Sequence, residues 1–303
     1  MTNSSAEKSS GQVRGQLFDM AKKTPSGKRS RVITVTSGKG GVGKTLTTVN
    51  FAMAARKMGL SVLVLDGDLG LANVDIVLGL QARYNIRDVL DGNISLKEII
   101  VDGPLGIRVI PSGSGISSLS SLSYTQKQHI LAEVEQLDEQ PDIFLIDTGA
   151  GISSTVTHFN QAADQVIVVT TPEPHAMTDA YAMIKVLSEE YGVRSVNLLV
   201  NQARTADEAQ KVFDRLTDVA NRFLKVEILY LGSVPNDPQV QRSVMQRRAA
   251  SESSTLTVAG QAWNQIARKK IAEMLEVESA PRAESVWSSL LNANRTKQAS
   301  AGF

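Results

Sequence analysis

The 303-residue chain contains no cysteine. It therefore cannot form a disulfide framework, hold a thiolate iron–sulfur cluster or use a cysteine nucleophile. No uninterrupted apolar run approaches the ~18 residues that a membrane-spanning helix needs, and the polar first residues lack the apolar stretch of a signal peptide. With 42% hydrophobic residues, the chain can still bury a full core.

The chain also lacks a large net charge, with 32 Lys+Arg against 31 Asp+Glu. This balance argues against a uniformly basic nucleic-acid coat, but the charges are unevenly distributed. Residues 1–31 carry a net charge of +5 and residues 282–303 carry +2, which leaves −6 for residues 32–281. An acidic body thus carries basic ends, which commonly serve anionic surfaces or partners or simply keep a tail solvated.

Strand and helix patterns alternate along the body. Short, β-branched, continuously apolar segments are typical of buried parallel strands. They occur at 31–36, 61–65, 106–110, 142–146, 165–169, 196–200 and 226–231. Helical periodicity is clearest at 45–58, 124–139, 177–191, 206–223 and 256–275. The alternation predicts an α/β fold, a doubly wound, mostly parallel sheet with helices on both faces.

The ends of the chain differ from this body. We predict an N-terminal extension over 1–30, one α/β domain over 31–277 and a tail over 278–303, with a Ser/Gly-rich loop at Ser112–Ser123. Each end carries a short apolar stripe, which either binds a partner or membrane or packs on the body. The stripes are Val13, Leu17, Met20 and Ala21, and Val286, Trp287, Leu290 and Leu291.

The strongest motif is the glycine-rich run from Ser37 to Thr45, which contains the pattern GxxxxGK[ST] between an expected strand and an expected helix. Its glycines let the backbone N–H groups curl around phosphate oxygens. Lys44 supplies a positive charge to the β- and γ-phosphates, and the Thr45 hydroxyl can ligate Mg²⁺. The predicted nucleotide-binding residues here are Gly38, Lys39, Gly40, Gly41, Val42, Gly43, Lys44, Thr45 and Leu46.

Acidic residues follow two of the expected strands. Asp66 and Asp68 come after the strand at 61–65, and Asp147 comes after the strand at 142–146. Parallel α/β sheets bind ligands beyond the carboxyl ends of their strands. An apolar strand that ends in Asp is the Walker B form, so we predict that Asp147 holds Mg²⁺.

The second lysine of the loop, Lys39, makes the run resemble the deviant Walker A motif of the MinD/ParA (SIMIBI) ATPases. The resemblance implies a P-loop ATPase that binds ATP and Mg²⁺ and dimerises in the ATP state, with Lys39 reaching the partner's nucleotide. It also implies that Asp66 supports the metal through water, and that Asp68 orients or activates the attacking water.

The same resemblance implies residues that contact the base. Asn201 resembles the family's adenine-reading Asn, and Pro235 to Asp237 resembles a second loop that flanks the base. The guanine-specific NKxD run is absent, which favours ATP. Segments 67–75 and 148–153 resemble the switch I and switch II loops that respond to the γ-phosphate.

Within the family, the segments Asp66–Asp75 and Asp147–Ile152 resemble the FlhG/FleN flagellar regulators. This resemblance implies control of flagellar number or placement through an FlhF-like GTPase, a flagellar switch component or a flagellar transcription regulator. The family's N-terminal Asp-Gln-Ala motif is matched here only by Gln12, which puts the FlhF-like contact in doubt. The resemblance further implies a cytoplasmic protein whose tail helix attaches peripherally to inner-membrane lipid in the ATP state.

Two alternatives stay open. A ParA-like, DNA-associated partition ATPase would need a basic dimer surface, so the acidic body makes nucleic acid an unfavoured partner. A partner-binding regulator with vestigial catalysis would be expected to lose one or more of Lys39, Lys44, Thr45, Asp68 and Asp147. All five are present, and this completeness favours an enzyme.

Overall fold

A computed structural model describes residues 30–68, 73–112, 140–252 and 257–276, together with 123, 125, 126, 129, 133 and 137. Its centre is an eight-stranded sheet in the order β3-β4-β2-β5-β1-β6-β7-β8. The strands are β1 (Arg31–Ser37), β2 (Val62–Gly67), β3 (Val101–Asp102), β4 (Arg108–Ile110), β5 (Ile143–Ala150), β6 (Gln165–Thr170), β7 (Ser195–Ala203) and β8 (Glu227–Pro235). All neighbouring strands pair in parallel except β3 and β4.

Helices connect these strands on both sides of the sheet. They are α1 (Lys44–Lys57), α2 (Val74–Leu78), α3 (Ile86–Leu90), α4 (Leu96–Ile99), α5 (Ser154–Ala162), α6 (Pro174–Glu189), α7 (Ala206–Phe223), α8 (Pro238–Met245) and α9 (Val258–Glu276), with a 3₁₀ turn at Pro104–Gly106. None of the helices within the described residues is long and apolar enough to cross a membrane.

Alternate residues of the central strands feed separate cores. On β2, Val62 and Val64 pack into the core shared with α1 and α9, whereas Leu63 and Leu65 face the core that contains α3, α4 and α5. A third core lies where α6 and α7 pack against β6 and β7. Because a strand that is covered on both faces must be apolar at every position, these segments read as continuous hydrophobic runs. The predicted doubly wound α/β fold is confirmed.

Each of the seven expected strands is present, within a few residues of its predicted bounds, as are the helices expected at 45–58, 177–191, 206–223 and 256–275. The sequence reading missed β3 and the shorter helices α2, α3, α4, α5 and α8. Two of these helices are set by local capping boxes, Asn85 with Asp88 and Ser95 with Glu98, rather than by a long apolar period.

Several expectations lie outside the described residues. They are the N-terminal stripe with Gln12, the C-terminal stripe after Glu276, residues 69–72 of the expected switch I, most of the loop expected at 112–123 and most of the helix expected at 124–139. The described positions 125, 126, 129 and 133 within that last segment are helical. The three-part division of the chain stays a prediction.

Candidate functional site

The carboxyl ends of β1, β2 and β5 lie side by side in the middle of the sheet. Asp66 of β2 is in register with Asp147 of β5, and the glycine-rich loop leaves β1 at Ser37 directly beside them. Behind this edge, the Thr148 hydroxyl donates to the carbonyl of Val35 at 3.1 Å. Parallel pairing therefore gathers residues that are far apart in the sequence at one point.

The glycine-rich loop is shaped by backbone conformations and close approaches that favour glycine. Gly41 and Gly43 have φ angles of 79° and 95°, in the left-handed region, and Gly43 is the N-cap of α1. At Gly38, an added Cβ would collide with the backbone of Asp179 on α6. The loop then opens α1, whose first N–H groups and dipole favour an anion at this end.

Lys44, Thr45 and Asp147 form the centre of the site. The Thr45 hydroxyl donates to Oδ2 of Asp147 at 2.6 Å, and the Thr48 hydroxyl donates to Oδ1 at 3.0 Å. Lys44 is only 8% exposed, and desolvation lowers the pKa of its ammonium although Asp147 and Asp68 act in the opposite direction. A buried cation thus lies within the electrostatic field of two carboxylates.

Asp147 is 1% exposed, and burial raises its pKa to about 6, against the lowering effect of its two threonine donors and of Lys44. Thr45 and Asp147 together offer a hydroxyl and a carboxylate oxygen, the hard donors that Mg²⁺ prefers. Within the described residues, no three His, Cys, Asp or Glu side chains form a complete metal site. This donor set fits an ion that takes its remaining ligands from phosphate and water.

Asp66 has a second role that the sequence did not reveal. Its Oδ2 accepts the backbone N–H groups of Asn73 and Val74 at 2.9 and 3.1 Å, and its Oδ1 accepts that of Asp68 at 3.1 Å. Asp66 therefore ties together the two ends of the expected switch I segment. Burial, and then the charge of Asp147, raise the pKa of Asp66 to about 7.

Asp68 lies at the edge of this cluster, beside switch II. An added Cβ on Gly149 would lie 3.7 Å from its carboxyl carbon, so the two expected switch segments meet here. The backbone carbonyl of Asp68 accepts the Ser112 hydroxyl at 3.1 Å, which fixes the chain beyond β2. This position is compatible with the predicted water-orienting role.

Lys39 points away from the centre of the site in this conformation. Its ammonium forms an ion pair with Oε2 of Glu173, the residue just before α6, at 2.9 Å. This contact lowers the pKa of Glu173. Both side chains are accessible to water, which screens such pairs, so Lys39 can exchange this partner at little cost.

Asn201, at the end of β7, contacts the phosphate loop. Its Nδ2 donates to the carbonyl of Val42 at 2.8 Å, and an added Cβ on Gly43 would collide with that nitrogen. Asn201 is buried, and its hydrogen bond fixes the phosphate loop to β7. The predicted adenine contact would have to be made by Oδ1 or by the second N–H of this amide.

A cavity of about 540 Å³ lies beside Asn201 and is large enough for a nucleoside. Its lining includes the predicted residues Leu46, Asn201, Pro235 and Asp237, together with residues of α8 and Trp263. Asp237 is also structural, because its Oδ1 accepts the N–H of Gln239 and its Oδ2 that of Ala259. It thereby fixes the starts of α8 and α9 around the cavity.

The structure thus gathers the predicted phosphate, metal and base residues along one edge of the sheet, with Lys39 at its margin. Sequence reasoning missed Thr48, Glu173 and Trp263. Thr48 lies one helical turn after Lys44, so its position on the same face was the one available signal. Glu173 and Trp263 are remote from the glycine-rich loop in the sequence, and no sequence pattern indicated that they lie near the site.

The chain resembles known proteins across the described body. The AAA domain family model matches residues 30–197. The antiactivator FleN of Pseudomonas aeruginosa is 39% identical over 79% of this chain and 85% of its own length. The flagellum site-determining protein YlxH of Helicobacter pylori is 35% identical over 81% and 83%. The solved MinC:MinD cell division complex of Aquifex aeolicus matches with a TM-score of 0.63 and 28% identity, covering 84% of this chain and all of that one.

Proposed function

Since the chain belongs to the MinD/ParA family of P-loop ATPases, in its FleN/YlxH branch, we propose that it is an ATPase switch that regulates flagellar number or placement. The similarity to FleN and YlxH supports the flagellar assignment. The site supports the assignment as an ATPase. The observation that carries this assignment is the convergence of Lys44, Thr45, Asp68 and Asp147 at the start of α1. The chain is an ATP hydrolase that uses ATP and Mg²⁺.

The residues of the site divide the chemistry among them. The loop backbone and Lys44 bind the phosphates and oppose the charge that develops on them during transfer. Thr45 and Asp147 would hold Mg²⁺, which when bound neutralises phosphate charge. Asp68 orients the attacking water. Asp66 holds the two ends of the adjoining switch I segment by accepting the backbone N–H groups of Asp68 and Asn73.

ATP-dependent dimerisation is the finer part of the proposal. The exposed position of Lys39 at the margin of the site supports it, because a second subunit could reach the ammonium there. In the dimer, Lys39 leaves Glu173 for the partner's nucleotide. The switch loops lie beside Asp68 and Asp147, so loss of the γ-phosphate releases them and weakens the dimer.

Membrane and partner binding follow from the dimer. Two copies of a weakly binding tail gain avidity, so residues 278–303 attach the cytoplasmic protein peripherally to the inner membrane only in the ATP state. The name antiactivator, carried by FleN, favours a flagellar transcription regulator among the partners. An FlhF-like GTPase and a flagellar switch component are the other two.

The test combines the number of flagella per cell with measurements of ATP hydrolysis and dimerisation in solution. We expect a deletion strain to show an altered number or position of flagella by electron microscopy, with rescue by the wild type but not by Lys44→Ala. In solution, Asp68→Ala should hydrolyse ATP slowly and remain a dimer with ATP by light scattering. A monomeric, rapidly hydrolysing Asp68→Ala variant would show that the role of Asp68 is wrong.

The partition alternative has a separate readout. Normal flagella in the deletion strain, together with failed plasmid or chromosome segregation, would favour it. ATP-dependent binding to non-specific DNA with a steep salt dependence would do the same. The net charge of −6 on residues 32–281 is unfavourable for such binding.

A further inference from the structure

The last strand of the sheet, β8, presents a free edge among the described residues. It is nine residues long and pairs on one side with β7. Leu229 and Tyr230 in its middle are each 38% exposed. An exposed edge strand with apolar side chains and unpaired backbone groups is a template for the addition of another strand.

A separate cavity of about 230 Å³ lies between this strand and α9, nearer the amino ends of β7 and β8 than the base cavity, and the two cavities share no lining residue. Its lining includes Leu229 and Tyr230 from β8, and Lys269, Lys270 and Glu273 from α9. The cavity is too small for a nucleotide but can accept one acidic side chain. It adjoins the exposed part of the edge.

The charge that lines this cavity is incompletely compensated. Lys270 is only 8% exposed, and among the described residues its charged neighbour is Glu273, whose carboxylate lies 3.9 Å from the ammonium. That distance exceeds a hydrogen bond, and half of the Glu273 side chain is exposed to water. Burial lowers the pKa of Lys270 more than Glu273 raises it. A buried ammonium of this kind is stabilised by a carboxylate that enters the cavity.

We propose that an extended segment of a partner protein adds to β8 as a further strand and places an Asp or Glu carboxylate against Lys270. The free edge supplies backbone pairing, and the lysine supplies selectivity for an acidic residue. Leu229 supplies apolar contact on the α9 side, and the exposed part of Tyr230, whose ring packs on Phe213 of α7, supplies it on the other side. This site is distinct from the nucleotide site and does not depend on the flagellar assignment.

Charge distinguishes this partner from two other occupants. The chain's own tail, residues 278–303, carries a net charge of +1, which does not complement the two cavity lysines. A second copy pairing through its own β8 would bring a second set of Lys269 and Lys270 to the same interface. An acidic segment of another protein is the occupant that complements the cavity.

The test places the photocrosslinking amino acid p-benzoylphenylalanine at Tyr230 and irradiates living cells of the source organism. The matched control carries it at Tyr84, which has a similar exposure of 37% and lies elsewhere in the fold. We expect a product specific to Tyr230, mapped by mass spectrometry to a partner segment with an Asp or Glu within two residues of the crosslink.

Two variants then test the role of the charge. Lys270→Met, which retains the length of the side chain, should reduce the crosslink and weaken binding of a synthetic peptide of that segment by about tenfold or more. Arg268→Met removes the same charge from an exposed position on α9 and should change neither. Replacing the peptide's acidic residue by its amide should match the effect of Lys270→Met.

Both variants should keep the wild-type rate of ATP hydrolysis, because neither residue touches the nucleotide site. The proposal is overturned by the absence of a product specific to Tyr230, by a crosslink to residues 277–303 or to a second copy, or by a partner segment without an acidic residue. Equal effects of Lys270→Met and Arg268→Met would also overturn it.

Discussion

The pH dependence of stability should reveal the buried carboxylate of Asp66. This side chain is 1% exposed and lies opposite Asp147 on the neighbouring strand. Burial and then the charge of Asp147 raise the pKa of Asp66 from 3.8 to about 7 in the folded protein. In the unfolded chain, the carboxyl group regains an ordinary pKa of about 3.9.

The sign follows from which state holds the proton. Between about pH 4 and pH 7 the folded protein keeps a proton on Asp66 that the unfolded chain releases, so stability falls as the pH rises. The contribution is fully present below pH 4 and is lost by the time the pH has passed 7. Its slope is about 1.4 kcal/mol per pH unit, so about 2 kcal/mol is lost between pH 5.5 and pH 8.

Asp66→Asn removes this titration while keeping the shape of the side chain. We expect the free energy of unfolding of the wild type, minus that of Asp66→Asn, to fall by about 2 kcal/mol from pH 5.5 to pH 8. The measurement is urea unfolding followed by tryptophan fluorescence, for which the buried Trp263 provides the signal. EDTA and the absence of nucleotide prevent a cation from neutralising the carboxylates.

A matched control removes another carboxylate that accepts backbone N–H groups, two of them compared with three for Asp66. Asp237→Asn changes the caps of α8 and α9 away from the Asp66–Asp147 pair, so it measures the general cost of replacing such a carboxylate. If the stability difference between the wild type and Asp66→Asn stays constant with pH, or grows as the pH rises, then the electrostatic reasoning about Asp66 is wrong.

Three further predictions concern nucleotide and membrane binding. Lys44→Ala should lose nucleotide binding in calorimetry, since it removes a buried charge from the phosphate loop, whereas Lys39→Ala should bind ATP and lose turnover because the exposed lysine acts in the dimer. Asn201→Ala should weaken binding of inorganic tripolyphosphate by about fivefold or more, because the amide holds the loop carbonyl of Val42 as well as lining the base cavity. Removal of all residues after Glu278 should abolish ATP-dependent sedimentation with liposomes that contain anionic lipid.

Each of these predictions has an outcome that contradicts it. Equal loss of binding in the two lysine variants would place Lys39 in the phosphate site of its own subunit. Unchanged tripolyphosphate affinity in Asn201→Ala would make Asn201 a residue that acts on the base alone. Unchanged liposome sedimentation of the shortened chain would remove the membrane role of the tail, and a wild-type rate of ATP hydrolysis in that chain would show that its body is folded.

The local features that could be predicted were those with strong short-range signals. The strands were recognisable because residues covered on both faces must be apolar throughout, as in Ile143–Ile146. The phosphate loop was recognisable because Gly41 and Gly43 adopt left-handed conformations that other residues resist. The short helices α3 and α4 were missed because each has only about one turn. A helix this short shows no repeated apolar spacing, and only its capping box marks it.

The sequence by itself determined the fold class and the chemical types at the site: the glycines, two lysines, a threonine and three aspartates that border apolar strands. Only the tertiary structure decided how those groups act on one another. The register of β2 with β5 places Asp66 opposite Asp147, and β7, two strands away from β1, brings Asn201 to Val42. Such contacts join residues up to 159 positions apart. They depend on strand order and burial, which local sequence patterns do not specify.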